Sequence, residues 1–138
     1  SNKLSGLNKY NLRVTMAGAV PTMSRFARQN ANLSAKCPCC GEEDETTEHL
    51  FLRCKAHEVQ RRCEINPEYV QALPMCSKLA GLIPLGHPIP SDCDQNREGL
   101  KDLTFRLQYT LLGILESRQK LLPETAPAPR WQNSGVRV

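Results

Sequence analysis

The sequence predicts an all-α fold, a small helical module that ends in a long C-terminal amphipathic helix and a disordered tail. Three observations predict it. Apolar residues recur at three- and four-residue steps through most of the chain. The run Cys37-Pro38-Cys39-Cys40-Gly41 is followed by His49 and Cys54, a C-x2-C-x8-H-x4-C pattern suited to one structural zinc site. The hydrophobic share is 40% but the aromatic share only 5%, so the core is thin and a metal staple would strengthen it.

Residues 1–36 read as a basic helical lead-in. Leu7, Tyr10, Val14 and Ala17 share a helical face, Gly18 loosens it, and Pro21 breaks it or begins the next helix. Thr22 can cap a second helix carrying Met23, Phe26, Ala27 and Asn30. Residues 37–65 read as the zinc-binding unit. Asp44, Thr46 and Thr47 are candidate N-caps, Glu45 and Glu48 fall in a first turn where the helix dipole favours acids, and the helix is expected from about Thr46 to Ile65.

Residues 66–122 read as a helical C-terminal region. Asn66-Pro67 punctuates the chain, Glu68 to Leu82 is weakly helical, and residues 83–93 form a loop around Pro84, Pro88 and Pro90. Asp92 or Asp94 can cap a helix reaching Leu122, with Leu100, Leu103, Leu107, Leu111 and Ile114 on one face. That stripe either packs on the upstream helices or docks another domain or a second copy, so homo-oligomerisation through this helix is an open expectation. Residues 123–138, with Pro123, Pro127, Pro129 and the lone Trp131, read as the disordered tail.

The metal expectation follows from ligand chemistry. Structural zinc takes four tetrahedral thiolate or imidazole ligands. Two cysteines two residues apart can turn onto one ion, and Gly41 can supply the positive φ such a turn needs. His49 and Cys54 lie five apart, wider than the spacing that aligns side chains on a regular helix, so a shared ion requires a bulged or tightened turn near His49. His57 can compete as the fourth ligand, and Cys39 can replace Cys40. A redox C-x-x-C pair lacks the surrounding βαβ pattern, and a disulfide framework fits poorly with seven cysteines. Cys63, Cys76 and Cys93 have no ligand-like spacing and read as small buried apolar residues; His87 reads as a surface-loop histidine.

The net charge of +4 is unevenly spread. Residues 1–36 hold six basic side chains (Lys3, Lys9, Arg13, Arg25, Arg28, Lys36) and no acid. Residues 37–63 hold four basic side chains, among them Arg53, Arg61 and Arg62, against six acidic ones. A cationic front suits phosphates. Arg13, Arg25 and Arg28 form one candidate patch, and Arg53, Arg61 and Arg62 a second. With no long apolar run and no charged-then-apolar leader, no membrane partner is expected and the chain is expected to be intracellular, nuclear or cytoplasmic.

The string from Cys37 through Glu48-His49-Leu50 to Cys54 resembles the zinc-binding region at the C-terminus of non-LTR (LINE-type) retrotransposon reverse transcriptases. Asn11-Leu12-Arg13 and Arg25-Phe26-Ala27-Arg28 are similar to that family's basic helical lead-in. The resemblance implies Cys37, Cys40, His49 and Cys54 as ligands. It departs in placing Cys39 inside the first pair and Lys55 where many members carry proline. It also implies a grip on RNA or DNA during reverse transcription, alongside the polymerase domains of a parent polyprotein. The sequence contains no Tyr- or Phe-x-Asp-Asp polymerase motif and no endonuclease or RNase H acid set, so a non-catalytic nucleic-acid-binding module is expected. The alternative is a protein-interaction or dimerisation module with purely structural zinc. Sparse aromatics argue against extensive base stacking.

Overall fold

The computed structural model describes residues 5–62 and 64–122. Its helices are α1 (Gly6–Met16), α2 (Met23–Gln29), α3 (Glu58–Arg61), α4 (Pro67–Gln71), α5 (Met75–Ala80) and α6 (Arg97–Leu121). A π-helical turn, His49–Arg53, and a 3-10 turn, Lys55–His57, precede α3. There are no strands among the described residues, only an isolated antiparallel bridge between Lys36 and Asp44. The tail at 123–138, Trp131 included, lies outside the described residues, as does Cys63.

Local chemistry sets most boundaries. Ser5 Oγ accepts the Asn8 amide to open α1, and Thr22 Oγ1 accepts the Arg25 amide to open α2. Asn66 caps α4 through the Glu68 amide, and Pro67 occupies its first turn. The weakly helical stretch 68–82 divides into α4 and α5, because Pro74 cannot continue a helix but can begin one. The cap of α6 is Asn96, which accepts the Gly99 amide at 3.0 Å, rather than Asp92 or Asp94. A side chain at Gly99 would sit 1.8 Å from the Asp94 carbonyl oxygen, so the chain enters α6 folded tightly over a glycine.

The expected continuous helix from Thr46 to Ile65 does not form. Thr46 does cap it, accepting the His49 amide at 3.0 Å. The backbone then widens into the π turn, leaves helical geometry at Cys54 (φ −61°, ψ 119°), tightens through Lys55–His57, and resumes as one short turn of α3. The bond closing the π turn runs from the Cys54 amide to the His49 carbonyl at 2.7 Å. It gathers the five-residue gap that a regular helix would splay.

Helix α6 is the spine of the core. Its Leu111, Ile114 and Leu115 pack with Val20, Leu50 and Phe51; its Leu103 and Leu107 pack with Ile65, Leu73 and Ile83. The first group draws on the lead-in, the cysteine-rich stretch and the C-terminal helix together. The leucine stripe is thus covered from within the chain, and Phe105 and Tyr109 are left exposed on another face of the helix. Cys76 is exposed on α5, contrary to its reading as a buried apolar residue, and Cys93 is only half-buried, packed from the loop ahead of α6 against the cluster of Ile65, Leu73, Ile83, Leu103 and Leu107. His87 lies on its loop edge-on to Tyr69, the ring centroids 5.8 Å apart.

Candidate metal centre

The centre is built from a knuckle and the π turn. At the knuckle the Gly41 amide returns to the Cys37 carbonyl at 2.8 Å, with Gly41 at φ +71°. This is the left-handed geometry that glycine adopts without strain. The Cys37 amide donates to Glu43 O and the Glu45 amide to Ala35 O, each at 2.8 Å, closing a short hairpin across the Lys36–Asp44 bridge. The π turn brings His49 and Cys54 to the same point.

Cys37, Cys40, His49 and Cys54 each place a ligand atom so that all four lie within 4.8 Å of one another. Cys37 Sγ is 3.8 Å from Cys54 Sγ, and Cys40 Sγ is 3.3 Å from His49 Nε2. A tetrahedron with metal–sulfur arms of about 2.3 Å has sulfur–sulfur edges of about 3.8 Å and sulfur–nitrogen edges of about 3.5 Å. The donor set and its spacing therefore fit a tetrahedral divalent ion. His49 Nδ1 meets Glu43 Oε2 at 2.8 Å, leaving Nε2 to face the sulfurs. A carboxylate behind a histidine in this way fixes the ring and raises its basicity as a ligand.

The thiols differ in their readiness to ionise. Burial, reinforced by Cys37 and Glu45, pushes Cys39 up to about 12. Burial likewise dominates at Cys54, with the Ala56 amide opposing it and Cys37 reinforcing it, and the result is again about 12. At Cys40 burial acts upward, but the amides of Glu42 and Glu43 and the His49 ring outweigh it and bring the thiol down to about 7. A divalent ion would deprotonate all its thiol ligands outright.

The two sequence alternatives fall differently. Cys37, Cys39 and Glu45 form a second cluster within the same 4.8 Å limit, but it offers only three groups. Its carboxylate is already held by Arg118, through Nε and Nη2 at 2.8 Å each. His57 is buried and belongs to neither cluster, with Nδ1 3.1 Å from Ser117 Oγ. Burial, aided by Arg61, lowers its pKa.

Residues 6–59 match the family model described as zinc-binding in reverse transcriptase. The zinc-binding segment so defined takes in α1, α2, the knuckle and the π turn, and ends inside α3. It covers less than half of the chain and leaves out α4, α5 and α6. No curated protein and no solved structure matches the chain. The zinc-binding match and the Cys/His cluster together make this a metal-binding module.

The six arginines singled out from the sequence are not equivalent. Arg13 and Arg28 are exposed and form no ion pair among the described residues, whereas Arg25 donates to the Gly18 carbonyl at 3.0 Å. Arg53 lies 3.6 Å from Glu43 and 3.5 Å from Glu48, and Arg62 lies 2.7 Å from Glu58. Arg61 is half-buried, and burial lowers its pKa. Sequence reading took Glu45 for a first-turn helical acid and missed Arg118 altogether. Glu45 is not in a helix: it is fully buried, and it also accepts the Met23 amide at 2.8 Å.

Among the described residues no helix is long and apolar enough to cross a membrane.

Proposed function

We propose that this chain is a non-catalytic, zinc-dependent nucleic-acid-binding module, comparable to the C-terminal zinc-binding part of a retrotransposon reverse transcriptase. Zinc is held by Cys37, Cys40, His49 and Cys54 in a CCHC arrangement. Three sulfurs and one imidazole are a set that selects zinc over harder ions. Four protein ligands leave no position for a reactive water, so the metal organises the fold and supplies no chemistry.

One observation carries the nucleic-acid reading. From Ser5 to Lys36 the chain presents Lys9, Arg13, Arg25, Arg28 and Lys36 with no acid among them, directly ahead of the metal knuckle. Exposed Arg13 and Arg28 have no carboxylate partner among the described residues and suit phosphate oxygens. RNA or DNA backbone is the partner, with reverse transcriptase domains of a parent polyprotein as neighbours. A salt titration of oligonucleotide binding tests it: affinity falls steeply with salt if phosphates are gripped, and undetectable binding refutes the reading. A second reading, a protein-interaction or dimerisation module with structural zinc, draws on the exposed Phe105 and Tyr109 of α6. A zinc-loaded dimer on a sizing column with no nucleic-acid affinity would favour it.

A further inference from the structure

Arg53, Arg61 and Arg62 line one cleft of about 470 Å³, formed by the π turn and α3 with residues of α4, α5 and α6. That volume falls within the usual range of small-molecule sites, about 300–1,000 Å³. Its walls are partly apolar, with Phe51 and Leu107 buried and Leu52 and Val70 half-exposed. Its charge is unbalanced. Four cations line it, the three arginines and Lys78, against two carboxylates, Glu48 and Glu58. Both carboxylates are engaged, Glu58 by Arg62 at 2.7 Å and Glu48 by Arg53 at 3.5 Å. Arg61 and Lys78 face the cleft from different helices with no ion pair among the described residues. Arg61 Nη1 is sealed from solvent and has no hydrogen-bond acceptor there.

A guanidinium with one N–H withdrawn from water and lacking an acceptor is destabilised, and an anion beside the part of Arg61 that lines the cleft would offset that cost through its charge, without a bond to the sealed Nη1. Two uncompensated cations match the charge of a phosphate better than that of a single carboxylate, and arginine with lysine is a common phosphate-binding pair. The apolar walls suit something flat and weakly polar attached to that phosphate.

We propose that this cleft binds one nucleotide unit, its phosphate between Arg61 and Lys78 and its base against Leu52 and Val70. The site deepens the nucleic-acid reading and rests on it for a bound strand as the source; a free nucleotide offers the same chemistry. Arg53 and Arg62 stand at the cleft as already paired charges.

The test uses the zinc-loaded full chain with three probes: inorganic phosphate, adenosine monophosphate and a short single-stranded oligonucleotide. The expected result is movement of the Leu52 and Val70 methyl resonances on addition of the mononucleotide. Arg61→Gln and Lys78→Gln should each weaken mononucleotide and oligonucleotide binding by about tenfold or more, and Lys101→Gln, exposed and outside the cleft, should leave both unchanged. Zinc content and helical circular dichroism confirm that each variant folds. Lys78, on α5 and away from the ligands, keeps the test decisive if Arg61→Gln does not fold. Oligonucleotide binding that both variants leave intact overturns the cleft and spares the nucleic-acid reading. Mononucleotide binding without oligonucleotide binding supports the cleft, assigns it to free nucleotide and refutes that reading. Failure of all three probes to bind overturns both.

Discussion

Arg118 and Glu45, 73 residues apart in sequence, meet in the interior through two parallel hydrogen bonds of 2.8 Å each. Glu45 is fully buried and Arg118 nearly so. The same carboxylate accepts the Met23 amide at the start of α2, and Arg118 Nη2 also donates to the Pro21 carbonyl at 3.2 Å. One ion pair therefore ties the lead-in, the exit of the metal knuckle and the last turns of α6. The matched zinc-binding segment ends at residue 59, so its own buried carboxylate is neutralised by a residue outside it.

Removing one member should be costly, because a buried charge without its partner costs about 3–5 kcal/mol. Arg118→Met and Glu45→Gln are each expected to lower the stability of the zinc-loaded chain by that order in urea unfolding. Replacing both by apolar residues should recover a large part of the loss, since the orphaned charge is then gone. Equal, additive losses would show that the pair is not coupled.

Deleting α6 should unfold the zinc-binding segment. Without Leu111, Ile114 and Leu115, the side chains of Val20, Leu50 and Phe51 lose their cover, and Glu45 loses its cation. A chain ending at residue 96 is expected to lose its cooperative thermal transition and to be digested rapidly by protease, even with zinc present. A sharp transition in that truncation would show that the matched segment folds without α6.

The ligand assignment separates neighbouring cysteines. Cys40→Ser is expected to abolish tight zinc binding and Cys39→Ser to leave it near the parent level, as read by metal content after gel filtration. Glu43→Gln, which removes the carboxylate behind His49, should weaken zinc by about 10–100-fold in competition with a chelating dye. Equal losses at Cys39 and Cys40 would contradict the assignment.

Phosphate binding by the lead-in should leave a salt signature. Each phosphate contact contributes about −0.7 to −0.9 to the slope of log affinity against log salt, depending on strandedness. Arg13→Gln and Arg28→Gln should each flatten that slope by about one contact, whereas Arg25→Gln, whose guanidinium is turned to Gly18, should change it less. An unchanged slope in the Arg13 and Arg28 variants would remove α1 and α2 from the interface.

The sequence carried those features that local rules encode. Gly41 follows the C-x2-C pair, and a positive φ occurs there. The five-residue gap from His49 to Cys54 demanded an irregular turn, and a π turn occupies it. The leucine steps from Leu103 to Ile114 mark the buried face of α6. What sequence could not carry was contact over long separations. Glu45 looks like an ordinary first-turn acid, and Arg118 like a cation suited to a helix C-terminus; only tertiary packing makes them partners. The α6 cap illustrates a different limit. Asp92, Asp94 and Asn96 all bear a capping oxygen, and the choice of Asn96 depends on how the proline-rich loop delivers the chain.

The central claim, that one zinc ion joins the knuckle to the π turn, is tested most directly by weighing the purified chain under native conditions before and after a strong chelator. The expected mass includes one zinc per chain, and removing the metal should abolish the helical circular dichroism of the described core. A metal-free mass for a fully folded chain, unchanged by chelator, would contradict it.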